Sequence, residues 1–109
     1  MQEIEFHNWL MKNGTSKKMI SDHISRLKRL ERVLKKTDLN FEGLDIAYNI
    51  DRCGLVFTLF ENTGKNPTTE KLGDIDLPIG KYSLSTFKYS LKKYTRFLQE
   101  KENKKYNLS

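Results

Sequence analysis

Residues Ser83–Lys101 read SLSTFKYSLKKYTRFLQEK, and the spacing of their apolar side chains decides the fold. Leu84, Phe87, Leu91, Tyr94 and Leu98 recur at steps of three or four, which puts them on one face of a helix. At about 100° per residue the opposite face carries Ser85, Tyr89, Lys92, Lys93 and Arg96, with Lys88 at its edge. Such a helix is apolar on one side and basic on the other, with one aromatic among the cations. Ser83 is an N-cap candidate, and no Gly or Pro interrupts the residues from Leu84 to Lys101.

Working back from that helix, a second amphipathic segment runs from a cap at Thr15 or Ser16 to about Lys36. Ile20, Ile24, Leu27, Leu30 and Leu34 form its apolar stripe. Lys18, Asp22, Ser25, Arg29, Arg32 and Lys36 lie opposite, with Ser21 and Lys28 beside them. A helix face that only meets water commonly mixes both signs of charge, whereas here carboxylates are scarce. Lys35 and Lys36 also suit the negative end of the helix dipole. Before this segment, Phe6, Trp9 and Leu10 predict a short helix over 3–13, stopped by Asn13-Gly14. The i, i+3 relation to Phe6 makes Trp9 a core anchor, with base stacking as the alternative.

The middle of the chain is less regular. Leu39-Asn40-Phe41 reads as an extended link and Glu42 to Asn49 as a short helix. DRCGLVFTLFEN, residues 51–62, continues as helix with Leu55, Val56, Leu59 and Phe60 buried, although Leu55 to Phe60 also has the composition of a strand. Residues 63–80 contain three Gly and both prolines and predict a loop with one helical turn near Thr68 to Leu72. That loop is the segment expected to flex or to touch a partner. The fold class is therefore all-α. One domain over 1–109 is expected, a compact bundle of four to five helices with its core at about 3–101 and a fraying polar tail at 102–109.

Charge is strongly segregated. Residues 1–15 carry a net −1, 16–37 a net +6, 38–80 a net −5 and 81–109 a net +6. Two basic elements flanking an acidic middle make a directional field, and a shared basic face would suit a polyanion. No apolar run is long enough to cross a membrane, and the first residues lack the pattern of a signal peptide. Cys53 is the only cysteine, which rules out an intrachain disulfide and points to a reducing, cytoplasmic setting. His7 and His23 have no ligand-spaced neighbours, and Asp74 with Asp76 is too sparse for a metal site. No phosphate-cradling glycine loop or nucleophile–base arrangement is present, so neither an enzyme, a cofactor nor a metal is expected.

Two stretches together resemble a known module. FHNWLMKNGTSKKMISDHISRLKRL (6–30) and YSLSTFKYSLKKYTRFLQE (82–100) are similar to the opening and closing segments of the core-binding domain of tyrosine recombinases and phage integrases. The resemblance implies a SAM-like helical bundle that clamps one face of duplex DNA and leaves catalysis to a following domain. It implies DNA contacts from Lys18, Ser25, Arg29 and Arg32, and from Ser85, Lys92 and Arg96. Lys28, Lys36, Lys88, Tyr89 and Lys93 join this list through their places on the two basic faces. The Arg, His-x-x-Arg and nucleophilic Tyr of the family's catalytic domain are missing, and the acidic middle and the 63–80 loop depart from its pattern. The expected function is a non-catalytic DNA-binding module with duplex DNA as partner. The alternative is a small phage or mobile-element protein that inhibits a nucleic-acid-processing protein, in the manner of anti-CRISPR or anti-restriction proteins. There Asp45, Asp51, Glu61, Asp74 and Asp76 would imitate nucleic-acid charge.

Overall fold

The computed structural model describes residues 1–37 and 41–107, and every regular element among them is helical. Six α-helices form an all-α bundle: Glu3–Lys12 (α1), Lys17–Lys35 (α2), Leu44–Asp51 (α3), Gly54–Thr58 (α4), Pro67–Leu72 (α5) and Leu84–Asn107 (α6). A 3-10 turn, Glu61–Gly64, links α4 to α5. The helix count exceeds the expected four or five because the middle of the chain is broken more often than its composition suggests. The expected link at Leu39 and Asn40 lies outside the described residues.

The two long helices α2 and α6 are the frame. They run antiparallel, since His23 meets Ser90 while Arg29, six residues on, sits over Phe87. Ser16 caps α2 by accepting the Met19 N–H at 3.3 Å, so the cap is Ser16 rather than Thr15. Ile20, Leu27, Leu30 and Leu34 enter one core with Leu84, Phe87, Leu91, Tyr94 and Leu98 of α6. Each such side chain contributes about 1.5–3 kcal/mol on burial. Ile24 is only half-buried, and His23 and Val33 take core positions beside it. The buried side of α2 is thus rotated slightly from the stripe that hydrophobicity alone predicts, because α6 packs against the His23 side.

The first helix clamps the C-terminal half of α6. The Phe6 ring stands edge-on to Tyr94 at 5.0 Å and lies 5.5 Å from Phe97. Trp9 is half-buried 6.0 Å from Phe97 and donates its indole N–H to Glu100 at 2.8 Å, which makes it the core anchor.

Carboxylates from the frame position α3. Glu31 of α2 accepts the Leu44 N–H at 3.0 Å, satisfying one of the orphan donors of the first turn of α3. The Tyr94 hydroxyl donates to Asp45 and accepts the Gln2 N–H. After Asp51 the helix does not continue, contrary to the expectation for 51–62. Arg52 and Cys53 both adopt left-handed backbone conformations, with φ of 59° and 63°, which end α3 and turn the chain into α4. The turn carries Cys53 into the core, where its N–H reaches the Ala47 carbonyl at 3.2 Å. Val56, Leu59 and Phe60 are buried as expected, but Leu55 is exposed.

The 63–80 segment is more tightly held than a free loop. Asn66 is buried, caps α5 through the Thr69 N–H and donates to the carbonyls of Leu59 and Glu61. Pro67 then occupies the first turn of α5, where its missing N–H costs nothing. Gly64 has φ of 84°, and a Cβ there would lie 2.8 Å from Ile79 and 2.9 Å from Leu84. Only glycine permits this close approach. Leu77 is buried farther along the same segment. At the other end, α6 extends to Asn107 instead of fraying from residue 102. Glu102 receives hydrogen bonds from Arg52 and Tyr48, which fastens that turn to α3. Residues 108 and 109 lie outside the described residues.

Candidate nucleic-acid interface

The basic surface is built on the α2/α6 seam. Between Lys81 and Gln99 the chain holds five Lys or Arg residues and no carboxylate. Ser85, Lys92 and Arg96 are exposed, and Lys88 is half-buried. Lys93 lays its ammonium 5.5 Å from the centre of the Tyr89 ring, a favourable arrangement for a cation over an aromatic face. Tyr89 is 47% exposed and contacts the edge of His23 at 5.4 Å. It is a rim residue with one side free. The Ser85 hydroxyl donates to the Tyr82 carbonyl at 2.8 Å, so its proton is already used and it can only accept from a ligand.

On α2 the expected contacts separate into groups. Lys18, Ser25, Arg32 and Lys36 are exposed. Helical geometry places Lys18 and Lys36 within about 20° of Arg29 around the axis, whereas Ser25 lines a groove with Glu3 and His7 of α1. Lys28 instead faces α1, where its ammonium pairs with Glu3 at 3.0 Å. Arg29 is committed internally. It donates to the Asp76 carbonyl and carboxylate, both at 3.0 Å, and its guanidinium lies 5.4 Å from the centre of the Phe87 ring. Arg32 and Lys36 share a groove with Asp74 and Asp76, so the acidic loop partly offsets the C-terminal end of the basic face.

Sequence reasoning missed Arg26. It lies between the apolar stripe and the opposite face, and its guanidinium reaches Ser90 at 3.4 Å, directly in the seam. The available signal was its spacing of three residues from both His23 and Arg29. Arg26 of α2 and Lys93 of α6 both bring positive charge close to His23 at this junction, with Asp22 beside them.

His23 is fully buried, with its Nδ1 2.8 Å from the Ser90 hydroxyl. Burial, followed by the nearby charges of Arg26 and Lys93, pushes its pKa below the usual value, with Asp22 opposing. The folded state therefore binds this proton less readily than the unfolded chain. Stability from the neutral imidazole is present above about pH 6.5 and is lost as pH falls through the lower folded-state value. Urea midpoints measured from pH 7.5 to pH 5 should fall with acidification. His23→Gln should flatten that decline, and an unchanged slope in the variant would assign the effect to another group. Burial, followed by Asp51 and Asp45, raises the Cys53 thiol to about 12, which leaves it protonated and inert as a nucleophile.

No helix among the described residues is long and apolar enough to cross a membrane. No protein-family model, curated protein or solved structure matches this chain.

Proposed function

We propose that this chain is a non-catalytic DNA-binding module whose α2 and α6 contact the phosphates of duplex DNA, as the resembled core-binding domains do. The observation that carries this reading is the carboxylate-free stretch 84–99 of α6 packed along α2, with Arg26, Tyr89 and Lys93 near the His23–Ser90 contact. Cations spaced along such a surface displace the counterions condensed on DNA, which gives affinity without demanding a base sequence. Lys18, Arg26, Lys92, Lys93 and Arg96 are the residues assigned to phosphate, with Tyr89 against a sugar or base.

The inhibitor reading receives less support from the acidic residues it needs. Asp45 is held by Tyr94 and Gln2, Asp51 by backbone N–H groups at the start of α4, and Asp76 by Arg29.

Fluorescence-anisotropy titration of a generic duplex at several salt concentrations tests the proposal. With about five phosphate contacts, log affinity against log salt should have a slope near −4.5. Absence of binding at low salt would overturn it.

A further inference from the structure

The α3–α4 face carries an exposed apolar groove whose lining includes no residue of α2 or α6. Among the described residues seven large apolar side chains are exposed, and three of them converge here: Ile46 (44%), Ile50 (77%) and Leu55 (47%). They border a groove of about 90 Å³ with Phe41, Ala47 and Val56 also in its lining. Ile46 and Ile50 are one turn apart on α3, and Leu55 extends the apolar strip across to α4. Exposed single side chains are ordinary on a protein surface, but a concave cluster with a polar rim marks a contact site.

That rim is acidic. Glu42 and Asp51 both line the groove and are exposed. Asp51 is fixed in place by accepting the Gly54 and Leu55 N–H groups at 3.0 and 2.9 Å. Arg52, the nearest cation in sequence, directs its guanidinium to Glu102 and over the Tyr48 ring instead. The apolar strip is therefore flanked by negative charge with no local compensation in the groove lining.

We infer that this face binds a cationic amphipathic helix of a partner protein. Its apolar stripe would lie on Ile46, Ile50 and Leu55, and its Lys or Arg residues would reach Glu42 and Asp51. The described residues offer no strand edge for an extended peptide to join, whereas a groove between two helices accepts apolar side chains at i, i+3/4 and i+7. A second copy of the chain is disfavoured as occupant, because a twofold contact through this face would bring its acidic rims together. The inference is independent of DNA binding, which uses the other two helices.

The test is nuclear magnetic resonance titration of the ¹⁵N-labelled chain with a synthetic Leu–Lys amphipathic peptide of about 18 residues, long enough for five helical turns. A Leu–Glu peptide of the same pattern is the control. Shifts should centre on residues 41–56. Binding should weaken at least about tenfold for Ile46→Ser/Ile50→Ser, for Glu42→Lys, and for the Leu–Glu peptide. Glu42→Lys alters an exposed side chain, so it preserves the test if the double serine variant packs differently. Shifts centred elsewhere, equal affinity for the acidic peptide, or undiminished binding by both variants would overturn the inference. So would sedimentation showing a dimer of the free chain that the same variants dissociate, since that assigns the face to self-association.

Discussion

Phe6→Ala should destabilise this domain by about 3–5 kcal/mol, a large share of the 5–15 kcal/mol that holds a typical domain together. Phe6 is fully buried and forms ring contacts with Trp9, Tyr94 and Phe97. Truncation removes the transfer free energy of the ring and leaves a cavity that the rigid α2/α6 frame can close only in part. It also removes edge-to-face and tilted ring contacts, each worth about 0.5–1.5 kcal/mol beyond area burial. The consequence spreads, because Tyr94 also holds Asp45 of α3 and the Gln2 backbone. Ile4→Ala on the same helix is the matched control. Ile4 is 78% exposed, and its truncation should change stability by less than about 0.5 kcal/mol. Urea unfolding of both variants measures the difference, and equal midpoints would show that α1 does not clamp α6 as described.

The largest effect on binding is expected from Lys92→Glu combined with Arg96→Glu. Both side chains are exposed on α6, in a stretch that contains no carboxylate of its own. Under the proposed function, reversal would remove two phosphate contacts and add two repulsive ones. Duplex affinity at low salt should fall at least about a hundredfold, equivalent to about 2.7 kcal/mol. The salt slope should shrink by about two. The urea midpoint should stay near that of the parent, since neither residue is buried. Arg29→Glu is a poorer probe although Arg29 sits on the same side of α2. It places a new carboxylate beside Asp76 and removes the cation over Phe87, so stability falls together with any binding. Parental affinity in the Lys92→Glu, Arg96→Glu variant would reject α6 as the interface.

Part of this candidate interface was legible in the linear chain and part was not. Lys92 and Arg96 follow from helical periodicity, because a single amphipathic helix decides which residues face away from its apolar stripe. Arg26, Lys28 and Arg29 do not follow, because each is decided by what the neighbouring element presents. Ser90 draws Arg26 into the seam, Glu3 turns Lys28 toward α1, and Asp76 of a distant loop engages Arg29. Ser85 shows the same limit at shorter range. Its place on the polar face is a matter of spacing, but its hydroxyl proton goes to a backbone carbonyl one turn back.

By itself the amino-acid order determined the two long helices, a cap at Thr15 or Ser16, the all-α class and the segregation of charge. These depend on propensity, capping and burial periodicity within about twenty residues, all of which are local quantities. Only the tertiary structure decided that α3 ends in left-handed residues at Arg52 and Cys53. It also decided that His23 lies in the core, that the acidic loop engages Arg29, and that Glu102 extends α6 past its predicted end. Each of these joins groups far apart in the chain. A strained turn or a buried imidazole is tolerated because packing and hydrogen bonds from other elements outweigh its local cost, and local sequence carries no record of those partners.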